Sequence, residues 1–177
     1  MILALDVHYA ADHSVVAGVA FDRWDDSRPK RSFVERLPPA AEYEPGRFYQ
    51  RELPCLLTLI RAHDLHPHCV VIDGYVYLDG ASEPGLGNHL YHALQATTAV
   101  VGVAKTSFRA IGPEFQVLRG GSERPLYVTS IGMALSDAKA AIAGMHGPHR
   151  LPTLLKWVDQ LCRGRVPAGP GPQGVGV

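Results

Sequence analysis

The chain has 177 residues and 46% of them are hydrophobic, a size and composition typical of one soluble globular domain. Its 17 Lys and Arg balance 17 Asp and Glu, so composition alone does not indicate a nucleic-acid binder. No apolar run approaches the roughly 18 residues needed to span a bilayer, which argues against contact with a membrane.

The N-terminal segment and the cysteines predict a cytoplasmic protein. MILALDVHYAADH carries Asp6 inside its apolar run and lacks a basic leader, so we expect no secretory signal. Cys55, Cys69 and Cys162 are scattered and form no C-x-x-C pair. Together these features predict buried, free thiols in a reducing compartment.

Three strands are predicted first along the chain. MILALDVHY is an apolar strand that carries an acidic residue, and HSVVAGVAFDRW and RSFVERLP are predicted as the next two strands. The polar segment DDSRPKR joins the latter two as a turn. This order predicts an antiparallel meander.

A helix is predicted after the turn signal EPG at 44–46. Its apolar residues recur at helical spacing, namely Leu53, Leu56, Leu57 and Ile60. Because a proline is tolerated only in the first turn of a helix, Pro54 predicts that Glu52 lies at or near the N-terminus.

The second half of the chain alternates strands with helices. HCVVIDGYVYL is a β-branched run ending at Asp73-Gly74, which is typical of a buried parallel strand. GLGNHLYHALQ predicts a short helix, AVVGVAK a buried strand, and RPLYVTS the last strand. The pattern therefore predicts an α/β fold, with a mixed sheet of antiparallel meander and parallel strands flanked by helices.

Two helices are predicted to close the domain. Ser136 is a candidate N-cap for a helix from Asp137 to about Met145. LPTLLKWVDQLCRG predicts a C-terminal helix with Pro152 in its first turn. We predict one domain over residues 1–165, followed by a disordered Pro/Gly-rich tail over 166–177.

Acidic residues end two of the apolar runs, Asp6 in LALD and Asp73 in VVID. Charges are costly where a sheet packs, so both should lie at carboxyl ends of strands, where open α/β sheets place ligands. The alternative is that each aspartate simply ends its strand and caps the next turn. If the first and fourth strands are neighbours, Glu52 could join them in one cluster.

Three carboxylates in one place repel one another unless a divalent cation lies among them, and all-oxygen ligands select Mg²⁺ or Mn²⁺. A carboxylate-held pair of Mg²⁺ ions can activate water and stabilise the leaving 3′-oxygen of a phosphodiester. The residues alone therefore support a metal-dependent phosphohydrolase. Eight cations could supply a basic face for nucleic acid: Arg47, Arg51, Lys105, Arg109, Arg119, Arg124, Arg150 and Lys156.

Four segments, in chain order, carry a resemblance to a known family. D-V-H-Y at 6–9 is similar to D-V-x-Y, and Y-E-P-G-R-F-Y-Q-R-E-L-P at 43–54 is similar to Y-x-P-G followed by R-E-x-P. V-I-D-G at 71–74 precedes G-V-A-K at 102–105, and P-L-Y-V at 125–128 precedes H-G and R-L-P. These segments resemble the endonuclease V family, which nicks DNA or RNA near deaminated adenine. The resemblance covers nearly all of residues 1–163 and implies a ribonuclease H-like fold.

The resemblance implies a catalytic centre. Asp6, Glu52 and Asp73 would bind Mg²⁺, for which Mn²⁺ could substitute, and Lys105 would neutralise charge near the scissile phosphate. Asp159, seven residues beyond Pro152, either faces this cluster from the last helix or is a surface or N–H-bonded carboxylate. The expected substrate is DNA or RNA with a deaminated base, inosine, cut on its 3′ side by a monomeric enzyme.

The resemblance also implies contacts to nucleic acid. Tyr43 would be the wedge that separates strands beside the lesion, with Pro45 and Gly46 shaping the backbone around it. Gly74 and Gly102 would border the flipped base. The alternatives are an exposed tyrosine in a turn, and glycines required by tight packing.

The pattern departs from the family directly after Asp73-Gly74. Asp79 stands where the family has the His of H-P-R, and Ala81 stands where it has the Arg; Met133 replaces a second histidine. An anion in place of a cation repels phosphate, unless Asp79 itself binds metal. The sequence therefore leaves open altered or weakened activity. It also leaves open an inactive homologue that binds nucleic acid or protein, and a ribonuclease H-like nuclease that recognises strand structure.

Overall fold

A seven-stranded mixed sheet forms the centre of the protein, which a computed structural model describes over residues 1–39, 48–108 and 111–165. Its strands are β1 (Ile2–Tyr9), β2 (Ser14–Phe21), β3 (Arg31–Leu37), β4 (Cys69–Asp73), β5 (Ala99–Ala104), β6 (Gln116–Val117) and β7 (Leu126–Ile131). They lie in the order β3-β2-β1-β4-β5-β7-β6. The predicted mixed sheet and the antiparallel meander of β1, β2 and β3 are confirmed.

The central strand β1 is buried on both faces because its alternate residues enter two different cores. Ile2 and Ala4 join one core, and Leu3 and Leu5 join the other, all at 2% exposure or less. β1 pairs in parallel with β4, and β4 pairs in parallel with β5. The carboxyl ends of these three strands therefore lie side by side, and the first and fourth strands are neighbours, which was the condition for Asp6 and Asp73 to lie close together.

Two helices cover each face of the sheet. The helices α1 (Phe48–Ala62) and α2 (Leu86–Ala93) pack on the Leu3 side, and α3 (Leu135–Gly144) and α4 (Thr153–Cys162) pack on the Ile2 side. Within the described ranges no helix is both long and apolar enough to cross a membrane. Cys55, Cys69 and Cys162 are buried and free, as predicted.

The prediction that Pro54 lies in the first turn of its helix is wrong. α1 already begins at Phe48, so Pro54 is interior and Glu52 lies in the second turn. An interior proline removes a backbone hydrogen bond and costs about 3 kcal/mol. Burial of Leu56 and Leu59, at 1% and 0% exposure, helps to offset that cost. Glu52 is therefore carried on a regular helix surface and does not cap the helix.

The predicted starts of the last two helices are also corrected. The N-cap of α3 is Ala134, so Ser136 is the second residue of the helix and caps nothing. Entry into α3 is set by Gly132, whose φ is +74°, and by the Ser130 hydroxyl, which donates to the Met133 carbonyl at 3.0 Å. Pro152 is the N-cap of α4, one residue outside the helix. The predicted tail over 166–177 lies outside the described residues.

Candidate active site

Asp6 and Asp73 lie next to each other at the carboxyl edge of the sheet. The parallel register pairs Leu5 with Ile72, so the following aspartates lie at the same level of β1 and β4. A small pocket there is lined by both aspartates, by Lys105, and by Leu155 and Val158 of α4. One Asp6 oxygen accepts a hydrogen bond from the Val7 N–H at 2.8 Å.

Glu52 approaches the two aspartates from α1. Its side chain is 7% exposed, and its charge acts on Asp6 and Asp73. The three predicted carboxylates are therefore within electrostatic reach of one another. Among residues 1–39, 48–108 and 111–165, however, no three His, Cys, Asp or Glu side chains are grouped closely enough to hold a metal ion.

Lys105 lies among these carboxylates. Its Nζ donates to Asp73 Oδ2 at 2.6 Å and is 3.7 Å from Asp159 Oδ1. Desolvation lowers the pKa of Lys105, but the charges of Asp73, Asp6 and Asp159 outweigh it, so the pKa is raised overall. Lys105 is therefore a cation at neutral pH, and α4 brings Asp159 to the same edge of the sheet.

Burial and mutual repulsion favour protonation of two of the acids. Burial, followed by the charges of Asp6 and Asp73, raises the pKa of Glu52 to about 9. Burial and the charge of Asp73 raise the pKa of Asp6 to about 7, although Lys105 opposes this. In its chemistry, though not in its present spacing, the donor set fits a hard divalent cation, because Asp6, Glu52 and Asp73 offer only carboxylate oxygens.

These shifts predict how the stability of metal-free protein depends on pH. An acid whose pKa is higher in the folded state stabilises the fold at low pH and loses that contribution as pH rises through the folded pKa. The pKa of Glu52 rises from 4.5 to about 9 and that of Asp6 from 3.8 to about 7. Melting temperature in chelator should therefore fall as pH rises from about 4 to about 9.

Replacing Glu52 by glutamine should remove much of this pH dependence. At about pH 8, Glu52→Gln is expected to stabilise the metal-free protein by roughly 1–3 kcal/mol, because the amide has no charge to bury. Thermal melting in chelator measures the effect, with the exposed Glu123→Gln as matched control. If Glu52→Gln is no more stable than the wild type, burial of the Glu52 carboxyl group does not destabilise the metal-free protein.

Tyr9 and Arg51 lie close enough to Glu52 to act on its carboxyl group. The Arg51 guanidinium lies over the Tyr9 ring, 3.6 Å from its centroid. Burial, and then the charge of Glu52, raises the pKa of Tyr9 above its usual range. Tyr9 and Arg51 come from the D-V-H-Y and R-E-L-P motifs, and the structure gives them a place beside the carboxylates.

Gly74 and Gly102 shape the backbone beside Asp73. Gly74 has φ of +146°, a conformation that favours glycine. Gly102 is buried, and a Cβ on it would lie 2.6 Å from the Gly74 carbonyl and 2.8 Å from Thr129 Oγ1. Thr129 Oγ1 also accepts the Val76 N–H at 2.8 Å. The structure thus shows the tight-packing role for Gly102, while contact with a base stays a prediction.

Sequence reasoning gave no role to Thr129. It is fully buried on β7, where its hydroxyl fixes the segment that follows Asp73 and Gly74. A hydroxyl inside the apolar run Y-V-T-S was the available signal, because a buried polar side chain requires a partner.

Asp79 is engaged by its own loop. Its Oδ1 accepts the N–H groups of Ala81, Ser82 and Glu83 at 2.9, 2.8 and 2.9 Å, and its Oδ2 accepts the Ser82 hydroxyl at 2.5 Å. These hydrogen bonds, that of the Ser82 hydroxyl first, lower the pKa of Asp79 well below its usual range. Asp79 therefore anchors a turn, and the structure does not bring it into the carboxylate cluster.

Two arginines of the predicted basic face donate hydrogen bonds to backbone carbonyls of the protein itself. Arg119 is 8% exposed and donates to five backbone carbonyls, those of Ala143, Met145, Gly147, His149 and Arg150. Arg150 donates to the carbonyls of Lys105 and Pro125. The predicted wedge residues Tyr43, Pro45 and Gly46, together with Arg47 and Arg109, lie outside the described residues.

Comparison with known proteins shows which family and which solved structures this chain resembles. The family model for endonuclease V matches residues 1–167. Endonuclease V from Ciona intestinalis, solved with a 24mer DNA containing an inosine followed by a ribo-adenosine, is 18% identical with a TM-score of 0.73; the match covers 92% of this chain and 84% of that one.

Human and bacterial structures give similar values. The human protein is 20% identical with a TM-score of 0.73, covering 92% of this chain and 82% of that one. Endonuclease V from Streptomyces avermitilis is 23% identical with a TM-score of 0.72, covering 92% and 79%. At these identities the structures show the fold, which is ribonuclease H-like as expected. No curated protein gave a significant match.

Proposed function

Because the chain belongs to the endonuclease V family, we propose that it is a metal-dependent endonuclease that cuts the phosphodiester on the 3′ side of a deaminated base. The observation that carries the proposal is the position of Asp6 and Asp73 side by side at one edge of the sheet, with Lys105 paired to Asp73 and with Glu52 within electrostatic reach of both aspartates. Three distant segments of the chain supply these acids, which supports a shared role.

Asp6, Glu52 and Asp73 would hold Mg²⁺, with Mn²⁺ as a substitute. The ion, when bound, supplies a means of activating water and of stabilising charge on the leaving 3′-oxygen. Arg51 stacks on the Tyr9 ring near Glu52, and Thr129 fixes the segment that follows Asp73. Lys105 would present its ammonium to a phosphate oxygen of the substrate.

The proposed substrate is inosine-containing DNA or RNA. The Ciona relative was solved with inosine-containing DNA, which supports this assignment by analogy. Gly74, at the open edge beside Asp73, would border the flipped base, and Tyr43 with Pro45 and Gly46 would act as the wedge. The protein is proposed to act as a monomer in the cytoplasm.

One observation favours a second candidate, an inactive or weakened homologue that only binds nucleic acid or a partner protein. The loop after Asp73 carries Asp79 and Ala81 where the family has a histidine and an arginine, and Asp79 is fixed within that loop. This segment therefore offers no cation to a phosphate, and small losses of positioning can cost about a hundredfold in rate.

A panel of substrates in Mg²⁺ distinguishes the candidates. It comprises single- and double-stranded DNA and RNA with one inosine, matched strands without it, and a flap duplex. The proposal predicts nicks on the 3′ side of inosine and little cutting of matched strands. Equal cutting of the flap would indicate a structure-specific nuclease, and binding without cutting would indicate the inactive homologue.

A further inference from the structure

The carboxyl edge of the sheet carries four acids and one lysine. Asp6 is acted on by the charges of Asp73 and Asp159, and Glu52 is acted on by Asp6 and Asp73. Among the described residues, the ammonium of Lys105 makes ion pairs with two of these acids, Asp73 and Asp159. In this arrangement the ammonium of Lys105 is held against the acidic edge, 2.6 Å from Asp73 and 3.7 Å from Asp159.

The ammonium occupies a carboxylate that would hold the metal. Lys105 Nζ lies 2.6 Å from Asp73 Oδ2, which is the distance of a strong charge-assisted hydrogen bond. A divalent cation held by Asp73 would compete with the ammonium for that carboxylate. Two cations at one carboxylate repel each other, so metal binding at Asp73 would displace the ammonium.

The ammonium of Lys105 can move away from Asp73 while the backbone of Lys105 stays in place. Its carbonyl, just beyond β5, accepts a hydrogen bond from Arg150, which fixes the base of the side chain. The side chain itself is 38% exposed, and its four-carbon stem is flexible. The ammonium can therefore swing toward solvent while the main chain of β5 stays in place.

We propose that Lys105 is the resident counter-cation of the metal-free cluster, which a divalent cation displaces from Asp73. This inference rests on the proposed function and adds a role to it. Lys105 holds the acids together without metal and weakens metal binding in return. Once displaced, the ammonium points to the open edge, where a substrate phosphate would approach, so metal occupancy prepares the site for its anionic substrate.

Calorimetric titration with Mn²⁺ alone, without substrate, tests the exchange. Lys105→Met removes the charge and should bind Mn²⁺ about tenfold more tightly than the wild type, because the metal no longer displaces a cation. Lys105→Arg keeps the charge and should stay within about threefold of the wild type. Lys156→Met, an equal change of charge at an exposed position of α4, is the matched control and should bind Mn²⁺ as the wild type does.

Thermal melting provides a second measurement that does not depend on activity. Without metal, K105M should melt below the wild type, and the rise in melting temperature on adding Mn²⁺ should be larger for K105M. Should K105M fail to fold without metal, Lys105→Gln repeats both measurements with a polar neutral side chain.

The outcomes separate this inference from the proposed function. If the wild type binds Mn²⁺ and K105M binds it equally well or more weakly, the counter-cation role is wrong and the proposed metal centre remains supported. If neither protein binds Mn²⁺, the metal centre and the counter-cation role both fail.

Discussion

Replacing Asp73 by asparagine should reduce metal-dependent nicking by about a thousandfold or more. An amide is a weak ligand for a hard cation, so the cluster would lose one of its proposed metal ligands. The change also removes the negative charge that pairs with Lys105 at 2.6 Å, although the amide oxygen can still accept a hydrogen bond. Initial rates on an inosine-containing strand measure the loss.

The control for Asp73→Asn is a second aspartate-to-asparagine change at a position away from the candidate site. Asp137→Asn serves, because Asp137 is exposed in the first turn of α3. It should nick at the wild-type rate, with at most a few tenths of a kcal/mol lost in stability. A D73N protein that is folded and nicks as fast as the wild type would remove Asp73 from the centre.

Replacing Arg119 by methionine should destabilise the fold by about 3–5 kcal/mol. The guanidinium satisfies five carbonyls between Ala143 and Arg150, and methionine can satisfy none. For a chain of this size the melting temperature should fall by roughly 10 °C. Nicking should also weaken, because the same segment carries Arg150, which holds the Lys105 backbone.

Arg124→Met is the control for this change, since Arg124 is exposed and loses the same charge. Its melting temperature should stay within about 2 °C of the wild type. Arg119→Lys should recover only part of the stability, because an ammonium cannot span five carbonyls. If Arg119→Met melts like the wild type, these carbonyls do not depend on the guanidinium.

The central strands could be predicted because they are buried on both faces. Such strands are continuous apolar runs, as in L-A-L-D and V-V-I-D, and an acid at the end of each run stands out. Their order in the sheet, which places β1 beside β4, was not predicted and comes from the structure. β6 escaped prediction because two residues, Gln116 and Val117, show no periodicity, and its pairing depends on β7.

The two errors at helix starts have different causes. Local rules assign Ser136 as a cap and Pro54 to a first turn. Gly132 and the hydrogen bond from Ser130 to Met133 fix the start of α3, a local turn that the sequence analysis did not recognise. Burial of Leu56 and Leu59 against distant strands favours a helix that continues through Pro54, and such packing cannot be found from the local sequence.

The acidic residues of the candidate site could be predicted from the sequence, but the hydrogen bonds between its side chains could not. Asp6, Glu52 and Asp73 could be proposed from residue type and position, while Asp159 required the resemblance to a family. The Lys105–Asp73 pair and the loop contacts of Asp79 depend on side-chain direction, which the sequence does not specify. Arg119 was counted as a surface cation, although its charge faces backbone carbonyls.

Removal and return of metal tests the central claim most directly. The wild-type protein is treated with chelator and dialysed, and its nicking of an inosine-containing strand is then followed before and after adding Mg²⁺ or Mn²⁺. The account predicts no nicking without metal and full recovery with either ion, at the 3′ side of inosine. Nicking that persists in chelator, or that neither ion restores, would contradict it.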